Sequence, residues 1–164
     1  MRASFVALVS LIFLCLSPTL LAGGKKEGPA KVSFHIETSG QDNPKMIFPQ
    51  RMAGKDRFFR RMPEVSTQDI AAFNPFPADG GQGYAVAFKL KSHAAKRLSA
   101  ITNVNHGKWL LAQVNGRVVD GVLIDSTIDD GVLVVWRNVT LQDIAALDET
   151  FPRPGQDGKK KKKK

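Results

Sequence analysis

His35, His93 and His106 are the side chains of this 164-residue sequence best suited to bind a metal or move a proton, and their settings argue against both roles. Metal sites and proton relays recur at short, fixed spacings on one element, whereas these three fall on a strand-like run, at a helix start and at a helix end. They read as structural histidines. Asp125, Asp129, Asp130 and Gly131 approach the pattern of a calcium loop, but the glycine comes one residue late and no glutamate closes the frame. A hairpin loop accounts for them better. Ser10, Ser17, Ser33 and the other serines lie outside any Gly-x-Ser-x-Gly elbow, and Gly80, Gly81 and Gly83 lack the lysine and helix of a phosphate loop. Asn138-Val139-Thr140 matches a glycosylation triplet, yet Thr140 is more simply a helix cap. These residues point to no enzyme class, no metal and no cofactor.

The formal charge of +9 invites a nucleic-acid reading, but it is unevenly placed. Six of the charges are Lys159, Lys160, Lys161, Lys162, Lys163 and Lys164, and a seventh is Arg2. The body of the chain is close to neutral, so no specific nucleic acid is implied. The remaining basic character gathers in Lys45, Arg51, Lys55, Arg57, Arg60 and Arg61, with Asp56 the one acid among them, and reads as a solvated edge or loop. Phe5 to Leu16 is the longest apolar run, too short to span a bilayer, with Arg2 before it and Ser17-Pro18 and Ala22-Gly23-Gly24 after it. That is the pattern of a secretory signal peptide over residues 1–23, with an uncleaved anchor as the alternative. Cys15, the sole cysteine, follows bulky Ile12-Phe13-Leu14 rather than the small residues of a lipoprotein signal. Removing it with the signal leaves a chain without disulfides or thiol chemistry, held by its core.

Downstream, Lys31 to Thr38 alternates as a strand, Met46 to Pro49 and Arg57 to Arg61 suit shorter ones, and Ser66 with Asp69 forms a helix-start signal. Asn74 to Gly83, rich in proline and glycine, reads as a loop. Tyr84 to Leu90 suits a half-buried strand. Ser92 then offers a cap for a helix with Ala94, Ala95, Leu98, Ile101 and Val104 on one side and Gly107 as its stop. Trp109 to Val114 and Val118 to Ile124 flank Asn115-Gly116-Arg117, a hairpin signal because Asn-Gly tolerates positive φ at both turn positions. Val132 to Trp136 is a further strand, and Thr140 with Asp143 caps a last helix carrying Ile144 and Leu147. The pentapeptides Gln68-Asp69-Ile70-Ala71-Ala72 and Gln142-Asp143-Ile144-Ala145-Ala146 are identical, through either an internally repeated strand-to-helix unit or shared capping chemistry.

This order resembles the head of the first periplasmic domain of the SecD family, subunits that assist protein export across the bacterial inner membrane. The matching residues are Phe88-x-Leu90, Ala94 to Leu98, Ile101-Thr102, Asn105, Gly107-Lys108, Leu111-Ala112, Asn115-Gly116, Gly131 and Thr140 to Leu147. Pro63 to Ile70 is similar to the segment that precedes this head, so the resemblance covers residues 58 to 151. Asp120-Gly121-Val122 departs from it, because the family has a small residue followed by Ala-Pro there. The resemblance implies a non-catalytic binding part that contacts protein segments or an envelope complex outside the bacterial cytoplasm. It lacks the membrane-spanning helices through which SecD couples a proton gradient to movement.

The expected fold is α+β and ferredoxin-like, a mostly antiparallel sheet with helices on one face. The expected divisions are a signal peptide at 1–23, an N-terminal extension at 24–56, the SecD-head-like domain at 57–152 and a disordered lysine-rich tail at 153–164. Trp109, Leu111, Leu123, Leu133 and Val135 share one alternation parity, and Leu110, Ala112, Val114, Val122, Ile124, Val132 and Val134 share the other, so both sheet faces are apolar. One face takes the helices, and the other is covered by the N-terminal strands or by a partner. Trp109, Leu111 and Leu123 are the candidate partner contacts on that second face. Lys159 to Lys164 are the candidate contacts for an anionic membrane or polymer, the alternative function to protein binding. A small hydrolase is the third class, favoured by no residue pattern.

Overall fold

The computed structural model describes residues 29–155 except residue 82. The signal segment, the first residues of the N-terminal extension and the tail lysines lie outside the described residues. Among the described residues nine strands and two α-helices follow in the order β1 (Val32–Thr38), β2 (Ile47–Met52), β3 (Lys55–Arg60), β4 (Val65–Ser66), β5 (Ile70–Pro77), β6 (Tyr84–Leu90), α1 (Ser92–Asn103), β7 (Trp109–Val114), β8 (Arg117–Leu123), β9 (Val132–Val139) and α2 (Leu141–Thr150). The fold is α+β, and every strand pairing is antiparallel. The strands divide into two sheets where the sequence reading had one. The first runs β2-β3-β1-β7-β8 with β4 also on β1, and the second runs β5-β6-β9. No helix among the described residues is long and apolar enough to cross a membrane.

Phe34, Leu110 and Val119 from the first sheet, Phe73, Val86, Phe88 and Leu133 from the second, and Leu98 and Leu147 from the helices form one buried cluster. Phe34 meets Phe88 edge-on with ring centroids 5.9 Å apart, a favoured aromatic geometry at the centre of that core. Helix α1 begins at Lys91, which caps without a side-chain bond, so Ser92 is its first residue rather than its cap. Its buried side is Ala94, Leu98 and Thr102; Val104, expected on that stripe, is exposed beyond the last turn. Thr102 is tolerated there because its hydroxyl donates to the Leu98 carbonyl at 2.9 Å and accepts from the Ile128 amide.

Asn115 and Gly116 take φ of 53° and 77°, the mirror-image turn that joins β7 to β8 as their sequence demands. Gly131 has φ 69°, and a Cβ built on it would lie 2.7 Å from that of Ala95. Only glycine brings the start of β9 this close to α1. Asn74 to Gly83 is not a loop throughout: β5 continues to Pro77 and pairs Pro75 with Val86 and Pro77 with Tyr84. Its two prolines are accommodated because β5 is the edge of its sheet.

Both copies of the repeated pentapeptide begin with the same capping box. Ser66 and Asp69 close one, and Thr140 and Asp143 close the other, each carboxylate accepting from the backbone amide of its cap residue at 2.9 Å. The first is followed by one 3-10 turn and then β5, whereas the second continues as α2. Shared capping chemistry, not a repeated strand-to-helix unit, explains the identity.

Candidate binding surface

The second face of the first sheet is covered from within the chain. His35, Glu37, Trp109, Leu111 and Gly121 lie on one side of β1, β7 and β8 by register, and the β2–β3 hairpin folds over them. His35 meets Phe48 edge-on at 5.3 Å, and the Arg57 guanidinium stacks 5.3 Å from the Trp109 ring while donating to Glu37 at 2.6 Å. A Cβ on Gly121 would fall within 2.5 Å of Met52, so glycine opens the place that Met52 fills. Leu111 and Phe59 are fully buried and Trp109 is half-buried, while Leu123 keeps 45% of its surface exposed. Of the three candidate contacts on this face, Leu123 alone stands open to solvent.

His35 locks this cover. Its Nδ1–H donates to the Arg60 carbonyl at 2.8 Å, which leaves Nε2 to accept from the Ser33 hydroxyl at 2.9 Å. Ser33, two residues before His35 on the same face of β1, is thus its neighbour, and the pair lies beside Phe48. Burial is the chief cause that lowers the His35 pKa below 6.5, against the opposing pull of the Arg60 and Arg61 backbone and of Glu64. A depressed histidine binds fewer protons folded than unfolded, so its stabilisation is complete above about pH 6.5 and declines as pH falls toward the folded value. We therefore expect the melting temperature to fall between neutral pH and pH ~5. His35→Gln should flatten that slope, as thermal denaturation followed by circular dichroism at several pH values will determine.

The remaining chemistry-bearing residues do not converge. His93 approaches Asp69 at 3.4 Å, His106 approaches Thr127 at 3.5 Å, and the Asp130 carboxylate accepts from the Val132 amide. Burial alone would raise the Asp69 pKa, yet bonds from Ser66 and Arg97 hold it below the usual range. Among the described residues no group of three or more potential ligands is placed to hold a metal. A cleft of about 270 Å³ between β1 and α1 is lined by Arg60, Arg97 and Lys108 facing Glu37 and Glu64 over an apolar floor, with no histidine, serine or threonine.

A second apolar surface, not singled out by sequence, lies on the outer face of the three-stranded sheet. Val86, Phe88, Leu133 and Val135 point into the core, so Phe76, Ala87, Val132, Val134 and Trp136 alternate outward together with the polar Asn74 and Lys89. Both helices pack into the opposite, core side. Phe76 and Trp136 meet edge-on with centroids 6.2 Å apart, and Trp136 is 55% exposed. A bulge aims this tryptophan: Trp136, Arg137 and Asn138 stand opposite Ala85 alone, with Asn138 at φ 61°.

The bulge releases backbone groups that β8 captures. The buried Asp120 carboxylate accepts from the Trp136 amide at 2.9 Å and from Arg137 at 3.0 Å. Asn138 donates to the Val119 carbonyl at 2.9 Å, and Arg117 donates to the Asn138 carbonyl at 3.1 Å. Side chains therefore close the seam where β8 and β9 run together without a ladder. Asp120, at the head of the segment that departs from the SecD pattern, positions Trp136. Sequence reading missed the role because Asp120 sits in a strand beside valines and its partner, Arg137, comes from another strand, 17 residues on.

Solved structures share this fold. SecDF, described as a membrane component that enhances protein export, superposes with a TM-score of 0.54 at 20% identity, over 77% of this chain and 65% of that one. SecDF in a super-membrane-facing form gives a TM-score of 0.53 at 20% identity, over 76% of this chain and 19% of that one. The chain thus spans less than two thirds of the length of either. No family model and no curated protein sequence matches it.

Proposed function

We propose that this SecDF-like fold is a non-catalytic, extracytoplasmic binding module, following a cleaved signal peptide, that contacts exported polypeptides or an envelope complex. The observation that carries this reading is the outward Phe76–Trp136 pair on a largely apolar sheet face that neither helix of the described residues covers. Partly exposed aromatics of this kind supply most of the energy at protein interfaces. The SecDF likeness supports it, since SecDF is a membrane component that enhances protein export. The ferredoxin-like description extends only to the β-α-β-β order of β6, α1, β7 and β8, because β6 lies in the second sheet and β7 and β8 in the first. Trp109 and Leu111 would join a contact only with the β2–β3 hairpin lifted, whereas Leu123 is already open to solvent. The tail lysines, Lys159 to Lys164, are assigned at most a tethering part.

The test uses the fluorescence of Trp136 with a permanently unfolded secretory polypeptide as ligand. Binding should shift the emission to the blue, and Phe76→Ser with Trp136→Ser should weaken binding by at least ~30-fold, as expected for two central aromatic anchors. The double variant is followed by anisotropy of the labelled ligand. Unchanged affinity in a folded double variant would remove this face from the reading, and turnover of the ligand would overturn it.

A further inference from the structure

We propose that the open end of the β2–β3 hairpin is a docking site for an anionic lipid bilayer, separate from the aromatic face above and independent of the protein-binding reading. Residues 45–61 carry six cations against the single acid Asp56, whereas the rest of the described chain carries nine cations against twelve acids. The molecule is therefore polar in charge, with its positive end on this hairpin. Arg57 is taken by Glu37, and Arg51 and Arg60 stand 3.9 Å and 3.5 Å from Asp56 and Glu64. At the open end Lys45 and Arg61 are exposed and have no acidic partner among the described residues, and Lys55 is likewise without one at the turn end, where it pairs with Met52.

Two large apolar side chains sit within this basic end. Met46 is 56% and Met62 is 72% exposed, and the Arg61 amide donates to the Met46 carbonyl at 2.8 Å. That bond sets Met46 opposite Arg61 just outside the two strands, so Lys45-Met46 and Arg61-Met62 flank the open end of the hairpin, a cation and a methionine on each side. Single exposed apolar residues are ordinary. Two unbranched ones, each beside an unpaired cation, match the requirement of a lipid surface: charge to hold anionic headgroups and flexible apolar chains to enter below them. Nucleic acid fits less well, because Phe48, Phe58 and Phe59 are at least half-buried and leave no exposed ring on the hairpin for base stacking.

The probe is a sedimentable vesicle of phosphatidylcholine with or without phosphatidylglycerol, with heparin and polyglutamate as non-lipid polyanions, at physiological salt. The full chain with Lys159 to Lys164 replaced by glutamine serves as parent, so the tail does not mask the hairpin. Lys45→Gln with Arg61→Gln should weaken partitioning onto anionic vesicles about 30-fold. Met46→Ser with Met62→Ser should weaken it about tenfold while leaving heparin binding unchanged. Neither pair should shift the unfolding midpoint, since all four side chains are exposed. Equal partitioning of the parent and either variant overturns the proposal. So does a charge effect seen on heparin or polyglutamate but not on vesicles, which would make the hairpin a site for acidic polymers.

Discussion

Leu111→Ala should lower the unfolding free energy by about 3 kcal/mol, within the range for deleting a fully buried leucine side chain. Leu111 is completely enclosed yet stands apart from the main cluster, and with Phe59 and Ile47 it supports a smaller core beneath the β2–β3 hairpin. The loss should therefore be uneven. Amide exchange in β2 and β3 should accelerate more than in β6, whose Val86 and Phe88 belong to the main core. The β3–β1 ladder supports this, since it is only two residue pairs long, Glu37 with Phe59 and Thr38 with Phe58. Chemical denaturation gives the magnitude and hydrogen exchange the distribution. Uniform acceleration across all strands would mean that the hairpin and the main core unfold as one unit.

Asp120→Ala should cost about 2–3 kcal/mol, because it strands a backbone amide and removes the charged acceptor that joins the two sheets. The figure is held below that of a wholly buried ion pair because Arg137 is largely exposed. Asp120→Asn keeps an acceptor for the Trp136 amide and should recover much of the loss. The effect should also reach the binding surface: with its bulge unpinned, Trp136 should show broadened fluorescence and greater quenching by acrylamide. A stability loss with unaltered Trp136 emission would separate the seam from the surface it is argued to position.

Much of the candidate surface was hidden from sequence for a definable reason. Alternation along Trp109, Leu111 and Leu123 correctly places them on one face, but alternation does not reveal what lies across from that face. The cover comes from residues more than fifty positions earlier, through Met52 against Gly121 and Arg57 over Trp109. The opposite error occurred at Asn74 to Gly83, where proline composition suggested a loop and so concealed Phe76. Pro75 and Pro77 are compatible with pairing because they occupy an edge, a property of the sheet and not of the segment.

Local chemistry was sufficient wherever an element depends on contacts a few residues apart. Asn115-Gly116 determined its turn, and Ser66 with Asp69 and Thr140 with Asp143 determined two capping boxes, since each satisfies its own backbone. The pentapeptide Gln-Asp-Ile-Ala-Ala marks the limit of that sufficiency. After Asp143, Leu147-Asp148-Glu149 allows the helix to continue, and Ile144 and Leu147 meet the core along one side. After Asp69, Pro75 rules out a long helix, but a loop and a strand both remained open to the chain. Pairing of Ile70 with Leu90 and Phe73 with Phe88 decided for the strand. A strand's backbone bonds are made to a partner distant in sequence, so the partner's position, and not the segment's own residues, completes the choice.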